Sequence, residues 1–133
     1  MSGRVVHFEI PFDDGDRARA FYQNAFHWDI MSLPEMGYSL VSTGPMTQDT
    51  GPSEPGYIGG GMLQRQQFFQ GPVLTVDVDD IEAALTKIEN LGGKTVRPRQ
   101  EVGEMGFAAY FTDPEGNLMG LWESTPQPAS QGS

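Results

Sequence analysis

The chain contains no cysteine. That excludes disulfides, thiolate metal sites and a cysteine nucleophile. It also lacks any run of about 18 apolar residues, so no transmembrane helix and no membrane partner are expected. The opening Met1-Ser2-Gly3-Arg4 has no apolar stretch behind it and does not read as a secretory signal. With neither signal nor disulfides, the expected location is the cytoplasm. Basic residues are scarce: 8 Lys and Arg against 18 Asp and Glu give a formal net charge of −10. Such a surface repels phosphate backbones, so nucleic acid is not an expected partner. The charge favours solubility and, weakly, cationic ligands.

What is present is a change of hydrophobic period, made twice. In Arg4 to Phe12, Val5, His7 and Glu9 fall on one face of a strand, and Val6, Phe8 and Ile10 on the other. After Asp13-Asp14-Gly15, the residues Ala18, Phe21, Tyr22, Ala25 and Phe26 form a helical stripe, with Asp14 as its N-cap. Trp28 to Leu33 and Tyr38 to Thr43 read as a hairpin around Pro34-Glu35-Met36-Gly37. Gly44 to Gly56 reads as a long loop, and Ile58 to Gln64 as a fourth strand softened by Gly59-Gly60-Gly61. The order then repeats. Val73 to Val78 is a strand; Ile81, Ala84, Leu85 and Ile88 are a helical stripe capped by Asp80 and ended at Leu91-Gly92-Gly93. Lys94 to Arg97, Ala108 to Thr112 and Asn117 to Glu123 are three more strands, with a tight turn at Asp113-Pro114-Glu115-Gly116.

The fold class predicted is therefore α+β, built from two βαβββ units. Residues 1–66 hold the first, 67–124 the second, and 125–133 a flexible tail rich in Ser, Gln and Pro. Laying Asp13-Asp14 over Asp79-Asp80 places His7 on Val73 and Glu9 on Thr75. His27 reads as the end of the first helix, and Phe68-Phe69 as a hinge packed on core.

Four stretches carry a family resemblance: His7-Phe8-Glu9-Ile10; Asp14 to Phe26; Asp79-Asp80 to Gly93; and Phe111 to Asn117 leading to Leu121-Trp122-Glu123. Over residues 4–124 the chain resembles the vicinal oxygen chelate superfamily, which holds glyoxalase I, extradiol dioxygenases and bleomycin-resistance proteins. The resemblance implies that each unit curls into an incomplete barrel and that paired units enclose a cleft. It also implies a divalent ion (Zn, Ni, Fe or Mn) held by first- and fourth-strand side chains, and acting as a Lewis acid on a substrate's neighbouring oxygens. Carried over residue by residue, the ligand positions fall on His7 and Glu123, which can bind a metal, and on Val73 and Leu63, which cannot. Gln64 could ligate only after a one-residue slip, which turns a strand's side chains to the other face. Two of four ligands make an incomplete site, since catalytic zinc takes three.

Candidate catalytic residues are thus His7, Glu123 and Glu9, and candidate substrate contacts are Trp28, Tyr38, Thr75 and Trp122. Each has a plainer reading. His7 also reads as a buried histidine bonded to Glu9 or Glu123; Glu123 also reads as a solvated strand end, though its place in the repeat points to the cleft; the aromatics also read as core. Two functions follow. One is a glyoxalase-like lyase or isomerase, or a dioxygenase-like enzyme, that binds a small molecule in the cleft and moves a proton beside a carbonyl. The other is a non-catalytic protein that sequesters a cationic or aromatic small molecule such as a drug. A homodimer is expected from the resemblance.

Overall fold

The first strand, β1 (Val5–Phe12), keeps the alternation of its sequence: Glu9 and Pro11 are buried while Val5 and Val6 at its start are exposed. In this computed structural model residues 3–47, 51–52 and 56–125 are described. The expected tail lies, from residue 126 on, outside the described residues. Asp14 caps α1 (Gly15–Phe26) by accepting the Arg17 N–H at 3.1 Å. His27 ends the helix in a left-handed conformation, φ 59°, with its N–H on the Gln23 carbonyl. The hairpin of β2 (Asp29–Leu33) and β3 (Tyr38–Ser42) turns through a short 3-10 segment at Pro34–Met36, closed by Gly37 at φ 63°. Inside the expected loop, β4 (Met46–Thr47) and β5 (Gly51–Pro52) pair as a small antiparallel ribbon. The first unit closes with β6 (Gly59–Gln64).

The second half rebuilds this plan. It runs β7 (Val73–Asp77), α2 (Ile81–Asn90), β8 (Lys94–Val102), β9 (Gly106–Thr112) and β10 (Leu118–Ser124). Asp80 caps α2 through the Ala83 N–H, and Gly92 at φ 102° supplies the left-handed turn after it. Strand β8 continues past the expected stop at Arg97, through Pro98. It is an edge strand, and two register shifts between Thr95 and Gln100 absorb the proline. In the Asp113 turn, the carboxylate accepts the Glu115 and Asn117 N–H groups at 2.9 Å and the Asn117 side-chain amide at 3.0 Å. These bonds, those from Asn117 foremost, hold the Asp113 carboxyl below its ordinary value. The turn motif is therefore a folding device.

The chain divides into two compact units, Val6–Leu74 and a second from Thr75 onward that includes the residues up to Val5. Within the first, strands lie in the order β2-β3-β6-β1, with β1 and β6 parallel. Within the second they lie in the order β8-β9-β10-β7, with β7 and β10 parallel. The two βαβββ units thus share one topology. The fold class is α+β.

Their helices pack differently. Helix α2 buries Ile81 and Leu85 against Ala109 and Leu121. Helix α1 buries no residue: Phe21 and Phe26 of its expected core stripe are 59% and 58% exposed. Its aromatics pair among themselves, with Tyr22 stacked on Trp28 at 5.0 Å and Phe8 tilted against Trp28. Periodicity identified the stripe but could not show how completely the sheet covers it. Among the described residues no helix is long and apolar enough to cross a membrane.

Candidate functional site

Strand register decides which side chains share a face. His7 lies opposite Gly59 and Glu9 opposite Gly61 across β1 and β6, while Tyr38 lies opposite Leu63 across β3 and β6. Opposed residues project to the same side. His7, Glu9 and Tyr38 therefore stand together on the face opposite Phe8 and the α1 aromatics. There His7 Nε2 lies 2.8 Å from the Tyr38 hydroxyl, which donates to Glu9 Oε2 at 2.9 Å. A phenol has one proton, and the carboxylate receives it. The imidazole must then donate from Nε2–H, which leaves Nδ1 as the lone-pair nitrogen of the neutral ring.

The glycines of β6 make the arrangement possible. A Cβ on Gly61 would run into the Tyr38 hydroxyl and ring, and one on Gly60 into the Phe8 ring. Gly61 thus vacates the space through which Tyr38 reaches between His7 and Glu9. Burial lowers the His7 pKa from its ordinary 6.5, partly opposed by the charge of Glu9. At neutral pH the ring is the uncharged form that the hydrogen bonds require. A histidine with a depressed pKa costs stability on acidification, because below pH 6.5 the unfolded chain takes up the proton first. The melting temperature of the native protein should fall as pH drops from about 6.5. This part of the loss should vanish in His7→Gln, as thermal denaturation at several pH values would show.

The comparisons with known proteins agree with this architecture. Residues 4–44 match the family described as bleomycin resistance protein-like N-terminal. A Mycobacterium bovis protein named as a glyoxylase, CFP32, is 28% identical over 123 residues, covering 87% of this chain and 44% of its own length. The chain thus spans less than half the length of the curated relatives it matches. Protein BH1468 of Bacillus halodurans C-125 superposes with a TM-score of 0.63 at 14% identity, over 96% of this chain and 99% of that one. Methylmalonyl-CoA epimerase of Mycobacterium tuberculosis superposes with a TM-score of 0.58 at 17% identity, over 98% and 92%. The chain shares the fold of these solved structures, and it resembles the vicinal oxygen chelate superfamily.

The side chains do not fit the divalent ion that this superfamily implies. In the first unit the last-strand residues opposite His7 and Glu9 are Gly59 and Gly61, and His7 and Glu9 are already joined through Tyr38. In the second unit the corresponding strands offer Val73, Thr75 and, opposite Thr75, Gly120. Among the described residues no cluster of three His, Asp or Glu could hold a metal. Leu63, on which the implied fourth-strand position falls, pairs with Pro11. Gln64 lies on the other face, where its amide reaches the Asp13 carbonyl. A cavity of about 350 Å³ on that face, lined by Asp16, Arg19 and Ser39 among others, holds an arginine already bonded to Asp16 and Ser39.

Glu123 is corrected too. It alternates with Trp122 and shares a face with Leu121, which packs on α2. Its carboxylate accepts the Ile81 N–H at 2.9 Å and two bonds from Arg99, at 3.1 and 3.2 Å. Arg99 in turn stacks 3.6 Å above the Phe107 ring centre. These donors, Arg99 first and Ile81 second, hold the Glu123 pKa below 4.5, so the group is an ionised cap rather than a ligand or a base. Arg99 was not anticipated; no local spacing links residues 24 positions apart. Glu123→Ala should cost about 1–2 kcal/mol, roughly 3–6 °C in melting temperature. That stabilisation is present above about pH 4.5 and lost as pH falls through the depressed pKa, so the variant's deficit should shrink in acid.

The remaining candidates separate. Trp28 belongs to the α1 aromatic cluster rather than to the His7 face. Thr75 is buried, and Trp122 lies over Gly106 with its indole N–H on the Ser124 hydroxyl. Of the seven residues the sequence nominates, three meet: His7, Glu9 and Tyr38.

Proposed function

We propose that the protein binds a small carbonyl compound on the His7, Glu9 and Tyr38 face of its first unit and moves a proton beside the carbonyl. The observation that carries this reading is the continuous His7–Tyr38–Glu9 hydrogen-bond chain, in which the Glu9 carboxylate is buried. The substrate's α-proton passes to His7 Nδ1. The Nε2 proton passes to the Tyr38 oxygen as the Tyr38 proton passes to Glu9. Return of a proton to a neighbouring atom gives an isomerisation, and loss of a leaving group at the β carbon gives a lyase step; return to the same atom gives α-proton exchange. The two transfers within the protein each move one proton across one existing hydrogen bond, so no protein group need travel. Neutral His7 accepts at pH 7 because burial disfavours its charged form until the substrate's proton arrives.

The CFP32 name and the methylmalonyl-CoA epimerase fold likeness support carbonyl chemistry of this type. The test is deuterium incorporation at the α carbon, followed by NMR in heavy water. The panel comprises the methylglyoxal–glutathione hemithioacetal, methylmalonyl-CoA and simple ketones. Exchange that is lost in His7→Ala supports the relay. Binding without exchange by any of the panel would overturn it in favour of the second reading, a sequestering protein, which the bleomycin-resistance-like match over residues 4–44 favours.

A further inference from the structure

The face that carries the relay has a second, apolar half. Met31 on β2 lies opposite Leu40 on β3, Leu40 lies opposite Gly61 on β6, and Gly61 lies opposite Glu9 on β1. Four strands thus place Met31, Leu40, Gly61 and Glu9 in one transverse row. Neighbouring strands are about 4.8 Å apart, so Leu40 lies about 10 Å from the Glu9 backbone and Met31 about 14 Å. Met31 is 60% exposed and Leu40 39% exposed, whereas Glu9 is buried. The adjacent row runs Leu33, Tyr38, Leu63 and Pro11, and the Tyr38 ring leans over Gly61 to reach the relay. Along these two rows no charged side chain lies between the exposed Met31 and Leu40 and the relay; exposed Asp29, opposite Ser42, flanks Met31 on the same face.

Resting on the relay reading, we propose that this row sets the substrate class. The substrate is an amphipathic molecule whose carbonyl sits at His7 and Tyr38 and whose unbranched or flat apolar tail lies over Leu40 and Met31. A sheet face with both aliphatics exposed gains by covering them. The polar relay at one end fixes which end of the ligand enters. A short polar substrate such as a triose would leave Leu40 and Met31 in water and gain nothing from them. The row thus discriminates by tail length, through apolar contact, while the relay discriminates by the presence of a carbonyl.

A series of methyl ketones from butanone to decanone, titrated against the intact protein by NMR, separates the two contributions. The dissociation constant should fall about two- to fourfold per added methylene until the tail spans the row. In the double variant Leu40→Ser, Met31→Ser the constants should become nearly independent of tail length, while butanone binds as before. Both positions are exposed, so the variant should keep the native melting temperature to within a few degrees. In His7→Ala the tail dependence should persist while every constant weakens. An unchanged tail dependence in the double variant overturns the assignment of the row, as does a wild-type series with no tail dependence or no binding. If the double variant instead turns a dimer into a monomer by sedimentation velocity and leaves the ketone constants unchanged, the row is an interface with a second copy and the proposal is wrong. Retained tail dependence with constants insensitive to His7→Ala would sink the relay reading alone.

Discussion

Tyr38→Phe should slow α-proton exchange by about 100-fold or more, with little change in substrate affinity. The substitution removes one oxygen, and that oxygen makes both links of the chain, to His7 at 2.8 Å and to Glu9 at 2.9 Å. The phenyl ring retains the apolar floor over Gly61, so the loss should appear in kcat rather than KM. The stability cost should be modest, about 1 kcal/mol, because one hydroxyl is lost and the cavity left is small. His7→Gln and Tyr38→Phe should not add. Once the chain is broken at either link, the second break removes nothing further, and the double variant should match the worse single variant. Additive losses would mean that the two groups act separately.

The second large effect is expected from a residue with no side chain. Gly61→Ala should abolish exchange to the level of Tyr38→Phe and also destabilise the fold by about 1–3 kcal/mol. The new methyl group occupies the position of the Tyr38 hydroxyl and ring, so Tyr38 must leave the gap between His7 and Glu9. Gly60→Ala makes the control. Its methyl group meets the Phe8 ring on the opposite face, so a similar loss of stability should come with exchange largely retained. Equal activity losses in the two alanine variants would show that strand distortion, not displacement of Tyr38, is responsible.

The contrast between these glycines explains how far the sequence could be read. Period-two alternation in β1 identified His7 and Glu9 as sharing a face, and helix capping identified Asp14 and Asp80, because these are local patterns. The duplication was legible for the same reason: each unit repeats its turns, caps and period changes at matching spacing. Three glycines in a strand signalled a close approach but not what approaches, since Tyr38 is 23 positions away and meets Gly61 only through the β3–β6 pairing. Register was the missing quantity. It places Gly59 opposite His7 and Leu63 opposite Pro11. It also bears on Glu123, whose parity with Leu121 assigns it to the α2 face. A resemblance to a metal-binding superfamily pointed to strand ends, while alternation within β10 separated Glu123 from Trp122. The exposed aromatics of α1 were illegible for a different reason: a helical stripe shows which face is apolar, not how much sheet lies beneath it.

The central claim is that His7 is a neutral imidazole donating from Nε2 into a chain that runs through Tyr38 to Glu9. Two-bond proton–nitrogen NMR correlations of the imidazole, recorded across pH in the native protein and in Tyr38→Phe, test it directly. The predicted result is the Nε2–H tautomer at pH 7, titrating below 6.5, with the Nε2 resonance shifted when the tyrosine hydroxyl is removed. A charged ring at pH 7, the Nδ1–H tautomer, or an Nε2 signal indifferent to Tyr38→Phe would contradict it.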